Sequence, residues 1–588
     1  MALVQAVAIG LIALVLTPGF FFYFDVTPKL VLLFVFCAAC AAGFRPAPRS
    51  VFSLLVLLSL LSLAVSTALS PTPALSAFGT NWRRYGAATQ AAILLFAWFV
   101  SAQAHRVLPM LRMVTAAGAL TAIYGIAQYF GWDPILPAAS YHIGEGVWTI
   151  VRPPSTLGYV SYFATWLLSV AFLCLALPGK LPKVVAALAT LAMLLTGTRA
   201  AVLGLAAGAG IWLFWLGWRA SRRALAIAAA LLFATIALYY SPPGQQLRSR
   251  ARWFAEDPWG GARPLLWRDS LRMAGTRLAA GHGPETFTAA FPHYESAELA
   301  RAYPDFAHES PHNIFLDALV AQGLPGLVLL AGFCALGFRA AWRVRDRHPT
   351  VAPALAAALG AGIVSQQFTV FTIPTAVIFF ATIALAVGLD APSPAPVGRA
   401  TVRPLRLRLP AIALAAALLY LAARFALADR ALALTQRSLA AGDLAAAAKY
   451  YDSAHFPFAS SDVWYSRALM NAAQPLPSIP RRIQALQQAF PPASRATSTA
   501  EDPFNAWYSL SEWYAVQNDA AGAERCLRAA IAAHPKWFKP HWTLARLLDL
   551  TGRTSDAANE ASLAADLDAG KHADVTSTWK DIRSRLHK

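Results

Sequence analysis

The sequence predicts an all-α, polytopic membrane helix bundle, because three observations agree on that class. Of its 588 residues, 57% are hydrophobic and only 13% are charged, and the mean hydropathy is +0.48, whereas soluble proteins carry roughly 25% charged residues. Apolar runs of about 20 residues recur as far as residue 427, the length that a membrane-spanning helix needs. The runs are continuous rather than alternating, which excludes a β-barrel.

About 12 or 13 membrane spans are predicted, with basic residues in the loops between them. The candidate spans lie near 4–23, 28–43, 51–69, 86–104, 109–130, 156–177, 183–197, 200–217, 223–240, 312–337, 351–371, 374–390 and 410–427. With the N-terminus in the cytoplasm, the positive-inside rule places six basic loops inside: 44–50, 105–112, 178–182, 218–223, 338–350 and 391–409. Because basic residues cluster in these loops, the net charge of +19 does not imply a nucleic-acid partner.

The same orientation places the loops 70–85, 131–155 and 241–311 outside, together with everything after residue 428. That last assignment depends on the runs 351–371 and 374–390 being two spans. If they were one span, the C-terminal part would lie in the cytoplasm.

A second domain, residues 429–588, is predicted to be an α-helical repeat of the tetratricopeptide type. The W-x-x-L…Y…A…A…P spacing is met by Trp507, Leu510, Tyr514, Ala523, Leu527, Ala530 and Pro535. A shift of about 34 residues gives a second copy at Leu544, Leu548, Ala557 and Ala564. Another array of helical hairpins is the alternative. Either kind of array binds partners rather than performing chemistry.

The membrane domain, residues 1–428, contains the long loop 241–311, and loops of that length are usually functional. This loop carries eight arginines and no lysine, and the planar guanidinium suits bidentate contacts with phosphate. Eight acidic residues in the same stretch largely cancel the charge, so a solvated loop explains most of these arginines.

Three further arginines lie at predicted turns near the outer interface: Arg84, Arg152 and, in a Thr196-Gly197-Thr198-Arg199 turn, Arg199. A cation at membrane depth is costly unless it faces a partner or a water-filled cavity. Together with the arginine-rich loop, these residues predict an anion-binding site. Each of them alone is also explained as an interfacial anchor.

Several other chemistries lack their motifs. The sequence has no phosphate-binding loop, no dinucleotide fingerprint and no H-E-x-x-H, and no acidic cluster suited to magnesium. No cofactor and no metal are therefore expected. The predicted spans are almost free of acidic residues, which disfavours a proton-coupled transporter.

Four motifs follow one another across the loop and the next span: Gly261-Ala-Arg263-Pro-Leu-Leu-Trp267, Gly281-His-Gly283-Pro-Glu-Thr-Phe287, His312-Asn313-Ile-Phe-Leu316 and Gly323-Leu-Pro-Gly326. With the upstream Arg152-Pro-Pro-Ser-Thr156 and the Thr196–Arg199 turn, their order and spacing resemble the O-antigen ligase and O-antigen polymerase superfamily. The Thr196–Arg199 turn departs from that family's T-G-S-R at Thr198. The resemblance covers about residues 10–390.

The resemblance implies a metal-independent, inverting glycosyltransferase in the bacterial inner (cytoplasmic) membrane. Its donor would be a glycan on undecaprenyl pyrophosphate, and its acceptor a hydroxyl group on the periplasmic face. His312 would be the catalytic base, with Arg263 and Arg199 as catalytic cations; for His312, capping of the following helix is the alternative. The remaining candidates for binding the pyrophosphate are Arg152, Arg84 and Arg268.

Three kinds of protein fit these features. A ligase would transfer a finished glycan to a glycolipid acceptor, and a polymerase or a protein O-oligosaccharyltransferase would use the same leaving group with a glycan or protein acceptor. A transporter or scaffold is the third kind. Membrane lipids and a protein bound by the repeats are the other expected partners.

Overall fold

The computed structural model describes residues 1–43, 50–143, 150–244, 248, 261–391, 409–454, 461–474 and 478–586. Within these ranges the chain forms 24 α-helices, a few short 3-10 turns and one antiparallel pair of two-residue strands, His142–Ile143 and Ile150–Val151. The predicted all-α class is confirmed. The predicted basic loops at 44–50 and 391–409 lie almost wholly outside the described residues.

The first 15 helices form the membrane bundle and the long loop. They are α1 (Ala2–Leu14), α2 (Thr27–Ala42), α3 (Val51–Ala68), α4 (Pro73–Phe78), α5 (Ala87–Ser101), α6 (Val107–Tyr129), α7 (Val160–Cys174), α8 (Leu181–Leu195), α9 (Arg199–Tyr240), α10 (Arg263–Gly275), α11 (Phe287–Ala290), α12 (Ala297–Ala302), α13 (Ile314–Arg343), α14 (Val351–Ser365) and α15 (Ile373–Asp390).

Helices long and apolar enough to cross a membrane include α3, α6, α13, α15 and α16 (Leu409–Ala440), and seven shorter apolar helices accompany them in the described chain. The predicted polytopic bundle is thus confirmed. The runs 351–371 and 374–390 form the two separate helices α14 and α15, and a capping box between Thr372 and Thr375 begins the second. The predicted spans 200–217 and 223–240 both lie in α9, which is broken at Gly217.

Helices α9 and α14 pack closely because glycines of α9 face the backbone of α14. A Cβ on Gly204 would lie 2.7 Å from the Ala361 carbonyl oxygen, and one on Gly208 would lie 2.9 Å from that of Ala357. Small residues four apart allow this approach between membrane helices. The packing holds Arg199, at the start of α9, beside Ser365, at the end of α14, and both line the same cavity.

The two ends of the bundle are distinct. At one end, Arg343 and Arg347 each lie 3.6 Å from Asp390, so the basic loop after α13 meets the end of α15. At the other end, the turn before α5 contacts the long loop and the start of α13. The repeat domain contacts this second end, where Glu501 accepts the backbone N–H of Asn81 at 2.6 Å. The long loop and the repeat domain therefore share one face.

Residues 261–311 form a compact layer with an apolar cluster of their own rather than an open loop. The cluster contains Leu266, Met273, Phe287, Phe291 and Leu299, and continues into α13. Burial of these side chains is the main force that folds the layer onto the bundle.

A backbone break in α13 receives the glycine-rich part of this layer. At the break, Gly323 has a φ of 68° and a ψ of −160°. The N–H groups of His282 and Gly283 donate to the carbonyls of Val320 and Ala321, each at 2.9 Å, and the Leu324 N–H donates to Leu278 at 2.7 Å. The G-x-G and G-x-x-G motifs thus dock the loop into the helix.

The remaining helices form the C-terminal domain. They are α17 (Leu444–Ser453), α18 (Asp462–Ala473), α19 (Ile479–Thr499), α20 (Pro503–Val516), α21 (Ala520–Ala533), α22 (Phe538–Leu550), α23 (Thr554–Asp568) and α24 (Ala573–Leu586). Sequential helices pack against one another, as in a hairpin array, and the tetratricopeptide assignment stays a prediction. The expected domain boundary at residue 428 falls inside the continuous helix α16.

We expect Gly323→Ala to destabilise the protein by at least about 1–3 kcal/mol, the usual cost of a side chain in such a backbone conformation. A Cβ there would also lie 2.2 Å from the Leu278 carbonyl oxygen. Thermal unfolding in detergent measures the loss. Gly332→Ala, in the same helix but with only the Leu55 side chain near at 3.5 Å, is the control. Equal midpoints for the two variants would contradict the docking role of Gly323.

Candidate active site

A cavity of about 640 Å³ lies where α7, α9, α10 and α14 meet the segment before α13. Arg199, Arg263 and His312 all line it, so the three residues predicted to be catalytic come together in space. His308, which belongs to none of the sequence motifs, lines the same cavity. The cavity thus combines two guanidinium groups with two imidazoles.

Arg199 is placed by the predicted tight turn between α8 and α9. The chain leaves α8 at Leu195, passes through Gly197 with a φ of 61°, and enters α9 at Arg199. The Thr196 hydroxyl accepts the Thr198 N–H at 3.2 Å, which stabilises the turn. A helix N-terminus carries partial positive charge, so helix and guanidinium together favour an anion here.

Arg263 and Trp267 lie one turn apart on α10 and have different roles. The Arg263 guanidinium lines the cavity and donates to the Phe368 carbonyl at 3.3 Å. The Trp267 indole N–H donates to the Pro311 carbonyl at 2.9 Å. The R-x-x-x-W motif therefore supplies a cation to the cavity and holds the backbone beside His312.

His312 has a φ of 52°, an unusual conformation for a residue other than glycine. Its Nδ1 lies 3.5 Å from the Ser310 hydroxyl oxygen. Burial and, next, the Arg263 guanidinium lower the pKa of His312 to about 4. The ring is therefore neutral near pH 7 and able to accept a proton. The alternative capping role belongs to Asn313, whose side chain accepts the N–H groups of Phe315 and Leu316.

The other three predicted arginines lie outside the described lining of this cavity. Arg268 forms an ion pair with Glu298 at 2.5 Å. Arg152 donates to the Tyr159 hydroxyl at 3.1 Å and lies over its ring. For these two residues, binding of the pyrophosphate stays a prediction.

Arg84 is buried and has an intramolecular carboxylate near it. Its guanidinium lies 3.7 Å from Asp429 in α16 and over the rings of Tyr23 and Phe425. The cost of burying this cation is thus offset within the protein. Arg84 connects the turn before α5 to α16, and its role in pyrophosphate binding also stays a prediction.

Sequence reasoning missed a buried ion cluster beside the site. Arg83 pairs with Glu285 of the long loop and lies 3.5 Å from Asp317 of α13. Glu285 also accepts the Thr80 N–H at 3.1 Å. The signal available in the sequence was the pair of charged residues in otherwise apolar surroundings, Glu285 in the G-x-G motif and Asp317 in the following span.

Comparison with known proteins finds similarity over part of the chain. Residues 184–331 match the O-antigen ligase family. This part of the chain is therefore similar to O-antigen ligases. An O-antigen ligase of Pseudomonas aeruginosa is 31% identical over 195 residues, which are 33% of this chain and 42% of that protein. The chain thus matches less than half of the length of this curated relative.

The part matched to the O-antigen ligase family contains Arg199, Arg263, Arg268 and His312 together with both glycine motifs. It excludes Arg84, Arg152 and the repeat domain. Most of the described residues that line the cavity therefore lie in the matched range 184–331. Its arrangement suits an anion held by two guanidinium groups next to a neutral base.

We expect Arg263→Gln to raise the pKa of His312, because it removes a cation that opposes protonation of the ring. The pH dependence of diethyl pyrocarbonate modification at His312, read by peptide mass spectrometry, measures this change. The midpoint should move to higher pH. Arg272→Gln, which changes an exposed arginine of the same helix paired with Asp269, is the control. An unchanged midpoint in Arg263→Gln would show that Arg263 does not act on His312.

Proposed function

We propose that this protein is a membrane glycosyltransferase of the O-antigen ligase kind. It moves a glycan from undecaprenyl pyrophosphate to an acceptor hydroxyl at the periplasmic face. The observation that carries the proposal is the convergence of Arg199, Arg263 and His312 on one cavity. The match of residues 184–331 to the O-antigen ligase family supports it.

The two arginines would stabilise the leaving group. As the bond between the sugar C1 and the phosphate oxygen breaks, negative charge grows on the pyrophosphate. Fixed cations in a site that excludes water stabilise such charge by several kcal/mol. Arg199 and Arg263 provide these cations without a metal ion, and the planar fork of each can bind two phosphate oxygens.

His312 would accept the proton of the acceptor hydroxyl as its oxygen attacks C1. A low pKa keeps the ring unprotonated before the donor arrives. Pyrophosphate bound to Arg263 offsets that cation, which raises the basicity of the ring when it is needed. The proton thus passes from acceptor to imidazole while the glycan passes from donor to acceptor.

The lining also favours a single, inverting displacement, in which the acceptor oxygen attacks C1 of a lipid-borne donor and the pyrophosphate leaves. Retaining enzymes commonly use a carboxylate nucleophile, and the described lining contains no carboxylate.

Leu203 of α9 lines the cavity and is 50% exposed on the bundle surface. This apolar side chain marks a route by which the lipid tail can lie against the bundle while the pyrophosphate occupies the cavity.

A polymerase or a protein O-oligosaccharyltransferase would use the same three residues, so the acceptor decides between these activities. Mass spectrometry of glycolipids, polysaccharides and glycoproteins from a deletion strain identifies it. Loss of glycan from a glycolipid acceptor indicates a ligase, loss from proteins an oligosaccharyltransferase, and short chains a polymerase. An unchanged glycan profile would contradict all three and favour a transporter or scaffold.

We expect alkaline phosphatase fused after Ala428 to be active, because the basic loops predict that the face shared by the long loop and the repeat domain is periplasmic. A fusion after Arg347, at the opposite end of the bundle, should be inactive. Enzyme activity in intact cells measures both. The reverse pattern would place the site on the cytoplasmic side and would contradict transfer at the periplasmic face.

We expect His312→Ala to lower kcat by about 10²–10⁴-fold, the usual contribution of a general base. Donor binding should change little, because the neutral ring adds little attraction for pyrophosphate. Arg199→Ala and Arg263→Ala should weaken donor binding and kcat together, and lysine should rescue only in part because it lacks the fork. Kinetics of purified enzyme with lipid-pyrophosphate donor and a chelator measure these effects.

Arg272→Ala is the control for these variants, because Arg272 is exposed and lies outside the described lining of the cavity. Near-normal turnover in His312→Ala, or loss of activity on adding the chelator, would contradict the metal-free mechanism.

A further inference from the structure

One wall of the cavity rests on the repeat domain. Tyr303, Phe306 and His308 line the cavity, and they follow directly after α12. Ala300 of α12 is buried in a cluster with residues of the repeats, among them Phe538. This wall therefore takes part of its support from outside the membrane bundle.

Ion pairs reinforce the same contact. Arg301 lies 2.7 Å from Asp566 of α23, and Asp305 lies 3.3 Å from Lys539 of α22. These pairs are partly exposed and contribute little energy individually. They do fix the position of α12 relative to the repeats. They therefore also fix the position of the cavity wall that follows α12.

A buried chain of three side chains reaches from the repeats to the cavity. His534, at the end of α21, has its Nε2 2.7 Å from one oxygen of Glu295. The other oxygen of Glu295 lies 3.8 Å from Nε2 of His308. The three side chains are only 4–8% exposed. Nε2 of His308 makes no hydrogen bond with the described residues.

A buried carboxylate needs hydrogen bonds to remain charged and oriented. His534 supplies such a bond to Glu295 from the repeat domain, which leaves the second oxygen facing His308. Glu295 and Asp269 favour protonation of His308, whereas the ring of His534 disfavours it. His312 and Arg263 line the same cavity as His308. Burial is the largest cause acting on His308, and it lowers the pKa of the ring. A bound anion favours protonation of His308, and Glu295 can then accept a hydrogen bond from its Nε2.

We propose that His308 is a further donor-binding residue, and that His534 of the repeat domain is a positioning residue acting on it through Glu295. Protonated His308 donates to the donor pyrophosphate while Glu295 balances its charge. This inference rests on the proposed function for the identity of the anion. It gives the repeat domain a direct part in the site, beyond docking a partner.

The test uses the full-length protein in detergent with inorganic pyrophosphate as the probe, so that it does not require glycan transfer. Affinity is measured by calorimetry from about pH 5 to pH 8, the range in which histidine titrates. Comparing variants with the wild type at each pH cancels the titration of pyrophosphate itself. His308→Ala should weaken binding at the acid end and bring little change at the alkaline end.

His534→Leu should weaken binding about 10-fold at the acid end, because Glu295 loses the hydrogen bond that orients its second oxygen toward His308. His534→Gln should restore most of the affinity, because its amide can still donate to Glu295. Glu295→Gln, which keeps the shape but removes the charge, should resemble His534→Leu. The two His534 variants test the hydrogen bond to Glu295, and Glu295→Gln tests the negative charge of the carboxylate.

His541→Leu is the matched control. His541 forms an equivalent pair, 2.7 Å from Glu560, but wholly within the repeat domain. It should therefore keep the wild-type dependence of affinity on pH. A wild-type profile in His534→Leu, or the same loss in His541→Leu, would overturn the inference by reducing the pair to a structural contact. Expected binding with no glycan transfer by the wild type would instead contradict only the proposed function.

Discussion

The buried ion pair between Arg83 and Glu285 is the interaction on which the end of the bundle beside the repeat domain depends. It joins the turn before α5 to the long loop, and Asp317 extends it to the start of α13. Removing one partner of such a pair commonly costs about 3–5 kcal/mol, because the other charge stays buried. Since α13 begins directly after His312, the same pair fixes the position from which the candidate base enters the cavity.

Each of these sequence motifs combines two roles: one residue lines the cavity, and another fixes the backbone next to it. Arg263 lines the cavity while Trp267 holds Pro311. His312 lines it while Asn313 caps α13. The glycines at 281, 283 and 323 allow loop and helix to share backbone hydrogen bonds. Motif spacing therefore reflects the geometry of one helical turn or one docked loop.

The features predictable from the sequence were those carried by neighbouring residues. Apolar runs and basic loops indicate the bundle, and the motifs indicate Arg199, Arg263 and His312. The pairs Arg83–Glu285 and Glu295–His534 join residues far apart in the chain. No local sequence pattern predicts such pairs. The contact between Arg84 and Asp429 could not be predicted for the same reason. Asp429 lies in α16, at the position where the change in composition predicts a domain boundary.

The dependence of the wall after α12 on His534 and Phe538 has a consequence for biosynthesis. Ribosomes make the chain from its N-terminus, so every membrane helix and all the cavity arginines are inserted before these two residues are translated. A nascent or prematurely released chain that ends after α16 carries the candidate catalytic groups but lacks the support for one side of the cavity. The cavity thus reaches its complete form only at the end of synthesis.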